Sequence, residues 1–203
     1  MARPREFDED DVLKQILFLF WEKGYEATSM RDIEQASGLG RMSLYNAFGD
    51  KEQVYLMALQ KYIDATKRLY IKHLREGRLS ELEALIDDYT RPHRLGHIGN
   101  WGCLMLNTIT AAHGVNAKAQ SMVEAFRAYA IGEIESVLQR AALAGEIAAD
   151  IHMSEMAQFI LITMWGAKVA TRQAGSTAAA ASVSRTLFAM LRLKQSTVTP
   201  VKH

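Results

Sequence analysis

Cysteine, proline and long apolar runs are scarce in this sequence. One cysteine in 203 residues excludes a disulfide within the chain, and three prolines leave two long stretches without a helix breaker. No apolar run approaches the roughly 18 residues needed to cross a membrane, no signal peptide is recognisable, and β-branched residues rarely alternate with polar ones. We therefore expect an all-α protein, located in the cytoplasm and without membrane contact.

Sequence motifs for catalysis and metal binding are missing as well. The chain has no glycine-rich phosphate loop, no nucleophile elbow and no HExxH pair. His93, His97 and Cys103 come nearest to a ligand set, but Pro92 and Gly96 disfavour the helix that would bring the two histidines together. The sequence therefore predicts no enzyme, no cofactor and no metal site.

The most distinctive stretch is residues 28–52, TSMRDIEQASGLGRMSLYNAFGDKE. Ser29, followed three residues later by Asp32, predicts a capped helix start, and Gly38 suits the left-handed turn that ends this helix. A second short helix follows and stops at an aromatic residue. Two short helices around a glycine turn predict a helix-turn-helix, the motif whose second helix enters the major groove of DNA.

The second helix of this motif starts near Gly40 and would bury Leu44 and Phe48. That register leaves an outward face of Arg41, Met42, Ser43, Tyr45 and Asn46. Arginine and asparagine hydrogen-bond base edges, serine and tyrosine bond phosphate oxygens, and methionine contacts the thymine methyl group. The outward face therefore has the chemistry of a DNA-reading surface.

The motif T-S-M-R-D-I-x-x-A-S-G-L followed by S-L-Y-N-A-F-x-D-K-E resembles the DNA-binding signature of TetR/AcrR-type transcriptional regulators. The resemblance covers about the first sixty residues, and the rest is similar in length, in helicity and in a Gly-Cys-Leu-x-x-Asn segment. It implies an all-helical homodimer. By this resemblance, phosphates would be held by Thr28, Tyr45 and Lys51, and the residues nearest the bases would be Arg41, Met42, Ser43 and Asn46.

Three positions depart from the family pattern. Gly40 stands where relatives usually have a serine or threonine cap, Met42 where a small residue is usual, and Ala47 where an aromatic residue or histidine is common. The phosphate contact usual at the position of Ala47 is therefore missing, and the operator sequence is not transferable from a relative.

Charge is unevenly placed in the N-terminal part of the chain. Residues 1–50 carry six Lys or Arg and ten Asp or Glu. Five of these acids lie between Glu6 and Asp11, where they suit the positive end of the first helix. A local basic rim remains, formed by Arg3, Arg5, Arg41 and Lys51. We expect non-specific DNA affinity to be weak and to fall steeply with salt.

Helical periodicity and breakers divide the chain into a helix-turn-helix DNA-binding domain at 1–50, a helical effector-binding and dimerisation domain at 51–194, and a disordered tail at 195–203. About nine helices are predicted, near residues 9–23, 29–37, 40–48, 51–70, 80–89, 103–113, 117–144, 154–174 and 177–193. The loop at 91–100 would be a lid or an entrance. The helix from residue 51 would join the domains and carry an effector signal by shifting as a rigid element.

The last two predicted helices are rich in small residues, which let helices approach closely. They also carry more apolar area than one antiparallel pair can bury, from Phe159, Ile162, Trp165, Val169, Leu187, Phe188 and Leu191. A four-helix interface across a two-fold axis would bury this surplus, so we predict a homodimer through these helices. The alternative is that all of these side chains fill the core of their own chain.

A mixture of aromatic and sulfur-containing side chains in the second domain is typical of a pocket for a mostly apolar small molecule. The predicted lining is Trp101, Cys103, Met105, Met122, Phe126, Tyr129, Met164 and Trp165, with polar groups from Asn107, Thr108, His113 and Arg127. The alternative is an ordinary core, because such residues at helical spacing are core residues more often than ligand contacts. Cys103 is compatible with a redox-sensing thiol or with a buried, inert one.

Together these features predict a ligand-responsive transcriptional regulator, with repression as the expected mode. A homodimer would bind a palindromic double-stranded DNA operator with its two recognition helices about 34 Å apart, until a small, mostly apolar effector releases it. Two alternatives stay open, which are a DNA-binding regulator without ligand control and a thiol-based redox sensor acting through Cys103.

Overall fold

Helices make up all of the regular secondary structure in the residues that the computed structural model describes, which are 7–90, 101–111, 116–174 and 178–193. In chain order they are α1 (Glu9–Lys23), α2 (Met30–Ser37), α3 (Arg41–Phe48), α4 (Lys51–Leu69), α5 (Leu79–Thr90), α6 (Leu104–Ile109), α7 (Ala117–Leu143), α8 (Met153–Ala174) and α9 (Ala178–Leu193). A 3-10 helix at Ile71–Leu74 lies between α4 and α5. The predicted all-α class is confirmed.

The ends of the first two helices follow the local signals in the sequence. Asp8 caps α1 by accepting a hydrogen bond from the amide of Asp10 at 2.8 Å. The glycines that end α1 and α2 have positive φ angles, 83° at Gly24 and 68° at Gly38, a conformation that costs most other residues energy. The predicted stop at Gly38 is therefore confirmed, and Gly24 ends α1 in a similar way.

Most of the predicted helix bounds agree closely with the structure. α7, α8 and α9 each begin and end within one residue of their predicted limits. α6 ends at Ile109 instead of residue 113, and residues 112–115 lie outside the described part of the chain. The buried residues of α1 are Val12, Ile16, Leu17 and Phe20, whereas Leu13 is only half-buried. The segments 91–100 and 195–203 also lie outside the described residues.

The described residues form two compact units. The first comprises Met1–Thr66 with Cys103–Glu124, and the second comprises Lys67–Gly102 with Ala125–His203. α4 and α7 each begin in the first unit and end in the second. The units therefore do not divide at residue 50, so the domain boundary given by the sequence stays a prediction about function.

The first unit packs α1, α2, α3 and α6 with the larger part of α4. Each of these helices contributes a side chain that is almost fully buried: Phe20, Ile33, Leu44, Met105 and Tyr55. Burial of such large apolar side chains stabilises a fold by about 1.5–3 kcal/mol each. The short helices α2 and α3 are therefore held by packing more than by their own helical propensity.

In the second unit α5, α8 and α9 pack against one another. Leu82 and Ile86 of α5, Ile160 of α8 and Phe188 of α9 are buried there. The 3-10 helix is tied to α7 because the guanidinium of Arg140 donates hydrogen bonds to the carbonyl oxygens of Leu74 and Gly77, at 2.6 and 2.9 Å. No helix within the described residues is both long and apolar enough to span a membrane.

Candidate nucleic-acid interface

α2 begins at a reciprocal capping box. The amide of Asp32 donates to Ser29 Oγ at 3.2 Å, and the amide of Ser29 donates to Asp32 Oδ2 at 2.7 Å. Lys23 Nζ lies 2.8 Å from Asp32 Oδ1 and so links the end of α1 to the start of α2. Hydrogen bonds from Lys23 and then from Ser29 hold the pKa of Asp32 well below its ordinary range. The carboxylate therefore stays ionised and keeps the box closed near neutral pH.

α3 presents the outward face that the sequence predicts. Leu44 and Phe48 are buried, and the Phe48 ring lies 6.5 Å from that of Phe7. The exposed residues are Arg41, Met42, Ser43, Tyr45 and Asn46. Met42 is 76% exposed, so its side chain is accessible for contact with a thymine methyl group. The predicted register of this helix is confirmed.

The N-terminus of α3 has no side-chain cap. Gly40 occupies the cap position, and the first turn contains no acidic residue. The partial positive charge of the helix start is thus unopposed on its own helix, which favours a nearby anion such as a phosphate. Arg41 is the first residue of this helix, and its guanidinium lies 5.8 Å from the centre of the Tyr45 ring, one turn further on. Two residues of the outward face therefore contact each other before any DNA is bound.

The connection from α3 to α4 requires glycine at position 49. Gly49 has a φ of 83° and a ψ of −149°, and a Cβ atom there would lie 1.6 Å from Gln53 Oε1. The same oxygen accepts a hydrogen bond from the amide of Asp50 at 3.2 Å, while Asp50 Oδ1 accepts one from the amide of Gln53 at 2.9 Å. This second capping box fixes the first turn of α4, where Lys51 lies.

Lys51 is held over an aromatic ring. Its ammonium lies 4.3 Å from the centre of the Tyr25 ring and donates to the carbonyl oxygen of Glu26 at 3.5 Å. Burial raises the pKa of Tyr25, with Glu52 and other nearby carboxylates adding to the effect. The Tyr25 phenol therefore stays neutral, and its ring face attracts the cation. Sequence reasoning missed this pair because its members lie in different segments of the chain.

Thr28 requires a correction. The resemblance assigns it a phosphate contact, but its side chain is 1% exposed and its hydroxyl donates to the carbonyl oxygen of Gly24 at 2.6 Å. Its amide also donates to the carbonyl oxygen of Tyr25 at 3.2 Å. A buried hydroxyl that is already bonded cannot reach DNA in this conformation. The structure therefore gives the Thr28 side chain the role of bracing the segment between α1 and α2.

The residues predicted to line an effector pocket are divided between the two units. Cys103, Met105 and Met122 belong to the first unit, whereas Trp101, Phe126, Tyr129, Met164 and Trp165 belong to the second. Cys103, Met105, Phe126 and Met164 are buried, and the other four are half-buried. Of the polar residues, Thr108 is buried, Asn107 and Arg127 are half-buried, and His113 lies outside the described part of the chain. The pocket itself stays a prediction.

Burial of Cys103 favours the inert thiol over the redox sensor. His93 and His97 lie outside the described residues, and the described residues contain no group of three or more potential metal ligands. An open cleft of about 620 Å³ lies beside the 3-10 helix, lined by Lys72, His73, Arg75, Glu76, Gly77, Arg78 and Glu81. Its charged lining does not suit the mostly apolar effector predicted from the sequence.

The apolar residues predicted to form a dimer interface fall into two groups, apart from Trp165, which is half-buried. Leu187, Phe188 and Leu191 of α9 are buried within the chain, as the alternative reading of the sequence expects. Three residues of α8 are exposed on one side of the helix, namely Phe159, Ile162 and Val169. We call these three residues the α8 apolar face. Their spacing of three and seven residues places them along one helical stripe.

Two family models match the chain. The model for "Bacterial regulatory proteins, tetR family" matches residues 12–58 and includes all of α2 and α3. The model for "Tetracyclin repressor-like, C-terminal domain" matches residues 77–187, more than half of the chain.

Individual proteins are similar to this chain, two of them over most of its length and one over less than half. The HTH-type transcriptional repressor ComR of Escherichia coli (strain K12) is 28% identical over 185 residues, covering 86% of this chain and 84% of ComR. The HTH-type transcriptional regulator YezE of Bacillus subtilis (strain 168) is 36% identical over 87 residues, covering 43% of this chain and 44% of YezE. A solved cysteine mutant of the TetR family transcriptional regulator CifR, in complex with 26 bp operator DNA, superposes with a TM-score of 0.76 at 25% identity, covering 94% of this chain and 100% of CifR.

Proposed function

The chain belongs to the TetR family of bacterial regulatory proteins, and on that premise we propose that it represses transcription by binding a palindromic operator in double-stranded DNA as a homodimer. Family membership makes it a transcriptional regulator and not an enzyme. Repression is the mode named for its relative ComR. Such a protein acts where the chromosome is, which agrees with the cytoplasmic location expected from the sequence.

The observation that carries this proposal is the outward face of α3. The five exposed positions on either side of the buried Leu44 combine an arginine, an asparagine, two hydroxyl groups and a methionine. Under this proposal Arg41, Met42, Ser43 and Asn46 contact base edges, while Tyr45 and Lys51 bond phosphates.

Dimerisation is supported by the α8 apolar face. Three large apolar side chains exposed on one stripe are more than scattered surface residues and are typical of a protein interface. A second copy of the same helix, related by a two-fold axis, would cover them, with α9 completing a four-helix interface. Two recognition helices about 34 Å apart would then match a palindromic site.

We also propose that a small, mostly apolar effector releases the protein from DNA. The match to the tetracyclin repressor-like C-terminal model and the aromatic and sulfur-containing residues from Trp101 to Trp165 support this step. Effector binding and operator binding would then oppose each other by the same free energy, so each ligand weakens the other by the same factor.

Selection of random duplex DNA by the purified protein at fixed salt tests the proposal. We expect enrichment of a palindrome whose half-sites are about one helical turn apart, and titration of the recovered duplex should give one dimer per site. Enrichment of a single, unrepeated half-site would contradict dimeric binding. No enrichment at low salt would contradict operator binding itself.

A further inference from the structure

Tyr55 of α4 and Thr108 of α6 form a buried hydrogen bond. Their oxygens are 2.7 Å apart, and both side chains are almost completely buried. Thr108 uses its single hydroxyl hydrogen to donate to the carbonyl oxygen of Leu104 at 2.7 Å. The Tyr55 hydroxyl must therefore donate and Thr108 Oγ1 must accept. Burial raises the pKa of Tyr55, so the phenol stays protonated and remains a donor.

The ring of Tyr55 contacts the aromatic group that supports Lys51. Its centre lies 4.8 Å from that of Tyr25 and 4.9 Å from that of Phe20, the latter in an edge-to-face arrangement. Tyr25 also stacks on Phe20, with their centres 6.2 Å apart. Phe20 and Tyr55 thus restrict the rotation of the Tyr25 ring, which the Lys51 ammonium also contacts. One ordered series of contacts leads from Thr108 through two tyrosine rings to Lys51.

We propose that Thr108 and Tyr55 are positioning residues for DNA binding, because their bond fixes the tyrosine rings that hold the Lys51 ammonium where an operator phosphate lies. This inference rests on the proposed function, in which Lys51 is a phosphate contact. Neither Thr108 nor Tyr55 touches DNA in this arrangement, since both are buried. No local sequence motif marks them, as they lie 53 residues apart in the chain.

The physical benefit is a lower entropy cost on binding. A free lysine side chain loses much of its rotamer freedom when it is fixed on a phosphate. Here the Tyr25 ring and the Glu26 carbonyl already restrict the ammonium of Lys51. That carbonyl takes one of the three ammonium hydrogens, which leaves donors for a phosphate oxygen. Loosening the tyrosine rings would return this freedom to Lys51 and weaken the contact.

A purely structural role for the Tyr55–Thr108 bond makes a different prediction from a positioning role. A structural bond would change the fraction of folded protein but not the number of phosphates that the folded protein neutralises. That number is measured by the dependence of log K on log salt concentration, which changes by about 0.9 for each phosphate contact in duplex DNA. A dimer that loses both Lys51 contacts should therefore lose about 1.8 in slope.

The test uses the duplex recovered by selection and measures its affinity across a salt series. The central variant is the Tyr55→Phe/Thr108→Val pair, which removes both hydroxyls and leaves no buried donor without a partner, so its fold should be retained. We expect about fivefold weaker binding at fixed salt and a shallower salt slope. In a Lys51→Gln background the same pair should change affinity by less than about twofold, because the contact it positions is already gone.

Two single variants serve as controls. Thr108→Ser keeps the hydroxyl and should retain the wild-type affinity and salt slope. Thr110→Val removes a hydroxyl from an exposed position of the same region, one that donates to the carbonyl oxygen of Leu106 at 2.8 Å, and should leave both quantities unchanged. The concentration of active protein is determined by stoichiometric titration, so that partial unfolding does not bias the measured affinity.

The positioning role would be overturned if the Tyr55→Phe/Thr108→Val pair weakened operator binding equally in the wild-type and Lys51→Gln backgrounds. It would also be overturned if the pair weakened binding but left the salt slope unchanged. If the wild type binds the selected duplex and the hydroxyl pair binds it equally well, only this inference fails. If the wild type enriches no DNA sequence, the proposed function fails and the inference fails with it.

Discussion

At the scale of single residues, Tyr45 differs from its neighbours on α3 because its hydroxyl is suited to a phosphate and not to a base. Phosphate contacts fix the protein on the duplex but carry no sequence information. Tyr45→Ala should therefore weaken binding to the selected operator and to a scrambled duplex by the same factor, about tenfold for each hydrogen bond to a charged group that is lost and so about a hundredfold for the dimer. Fluorescence anisotropy at fixed salt measures both affinities.

The control for Tyr45→Ala is Gln139→Ala, an exposed substitution on α7, which should change neither affinity. A loss confined to the selected operator would assign Tyr45 to base reading and contradict its role on the phosphate.

Gly49 gives a prediction about stability. Its φ of 83° with a ψ of −149° belongs to a region that only glycine adopts easily, and an added Cβ would displace the Gln53 side chain from the capping box. Gly49→Ala should lower the free energy of unfolding by about 1–3 kcal/mol, as measured by urea denaturation.

The matched comparison is Gly132→Ala in α7, where an added Cβ meets no atom within 4 Å. That substitution should raise the free energy of unfolding by about 0.5–1 kcal/mol, because alanine is the better helix former. Equal effects of the two substitutions would contradict the account of the turn.

The sequence predicted the exposed residues of α3 but not the contact that Lys51, at the start of α4, makes with Tyr25. The spacing of four residues between Leu44 and Phe48 shows which side of this short helix is buried, and that pattern is local. The contact of Lys51 with Tyr25 depends instead on how the segment after α1 packs against α4. Such contacts between separate segments have no signature in the spacing of residues.

At the scale of secondary-structure elements, the capping box of α2 makes stability depend on pH. Hydrogen bonds from Lys23 and Ser29 depress the pKa of Asp32 in the folded state. A group with a depressed folded pKa stabilises the fold above the unfolded value, about 3.9 for aspartate, and this contribution is lost as the pH falls through the folded value. Asp32→Asn should therefore lower the melting temperature at pH 7.

The gap in melting temperature between Asp32→Asn and the wild type should narrow progressively below about pH 5. Circular dichroism melts from pH 7 to pH 3 measure it. Glu34→Gln, which removes a carboxylate of α2 outside the capping box, is the control. A gap that stays constant over this range would contradict the ionised capping box.

The elements that sequence patterns predicted are those with local start and stop signals. Ser29, Gly24 and Gly38 mark α1 and α2 because capping and positive φ are properties of a few consecutive residues. The 3-10 helix was not predicted, since it is held by Arg140, more than 60 residues away in the chain. Its four residues show no helical periodicity of their own.

At the scale of the whole molecule, the α8 apolar face is proposed to join two copies of the chain. Ile162 lies near its middle and is 64% exposed. Ile162→Asp would place a charge in the interface and should convert the dimer to a monomer at micromolar concentration, as measured by analytical ultracentrifugation. A monomer has one recognition helix, so operator affinity should fall by at least about a hundredfold.

Leu143 provides a matched control for this substitution, because it is 90% exposed at the end of α7 and lies outside the α8 apolar face. Leu143→Asp introduces the same charge and should leave the dimer and the operator affinity intact. Dimeric Ile162→Asp protein with normal affinity would show that the interface lies elsewhere.

The central claim is that α3 reads the bases of an operator, and parallel selections of random duplex DNA by the wild type and by Asn46→Ala test it most directly. Asn46 is exposed on α3, and an asparagine that bonds an adenine edge contributes about 1–3 kcal/mol of discrimination. We predict that both proteins enrich a palindrome, and that Asn46→Ala loses its preference at one symmetric pair of positions. Identical sequences recovered by both proteins, or no enriched sequence for the wild type, would contradict the claim.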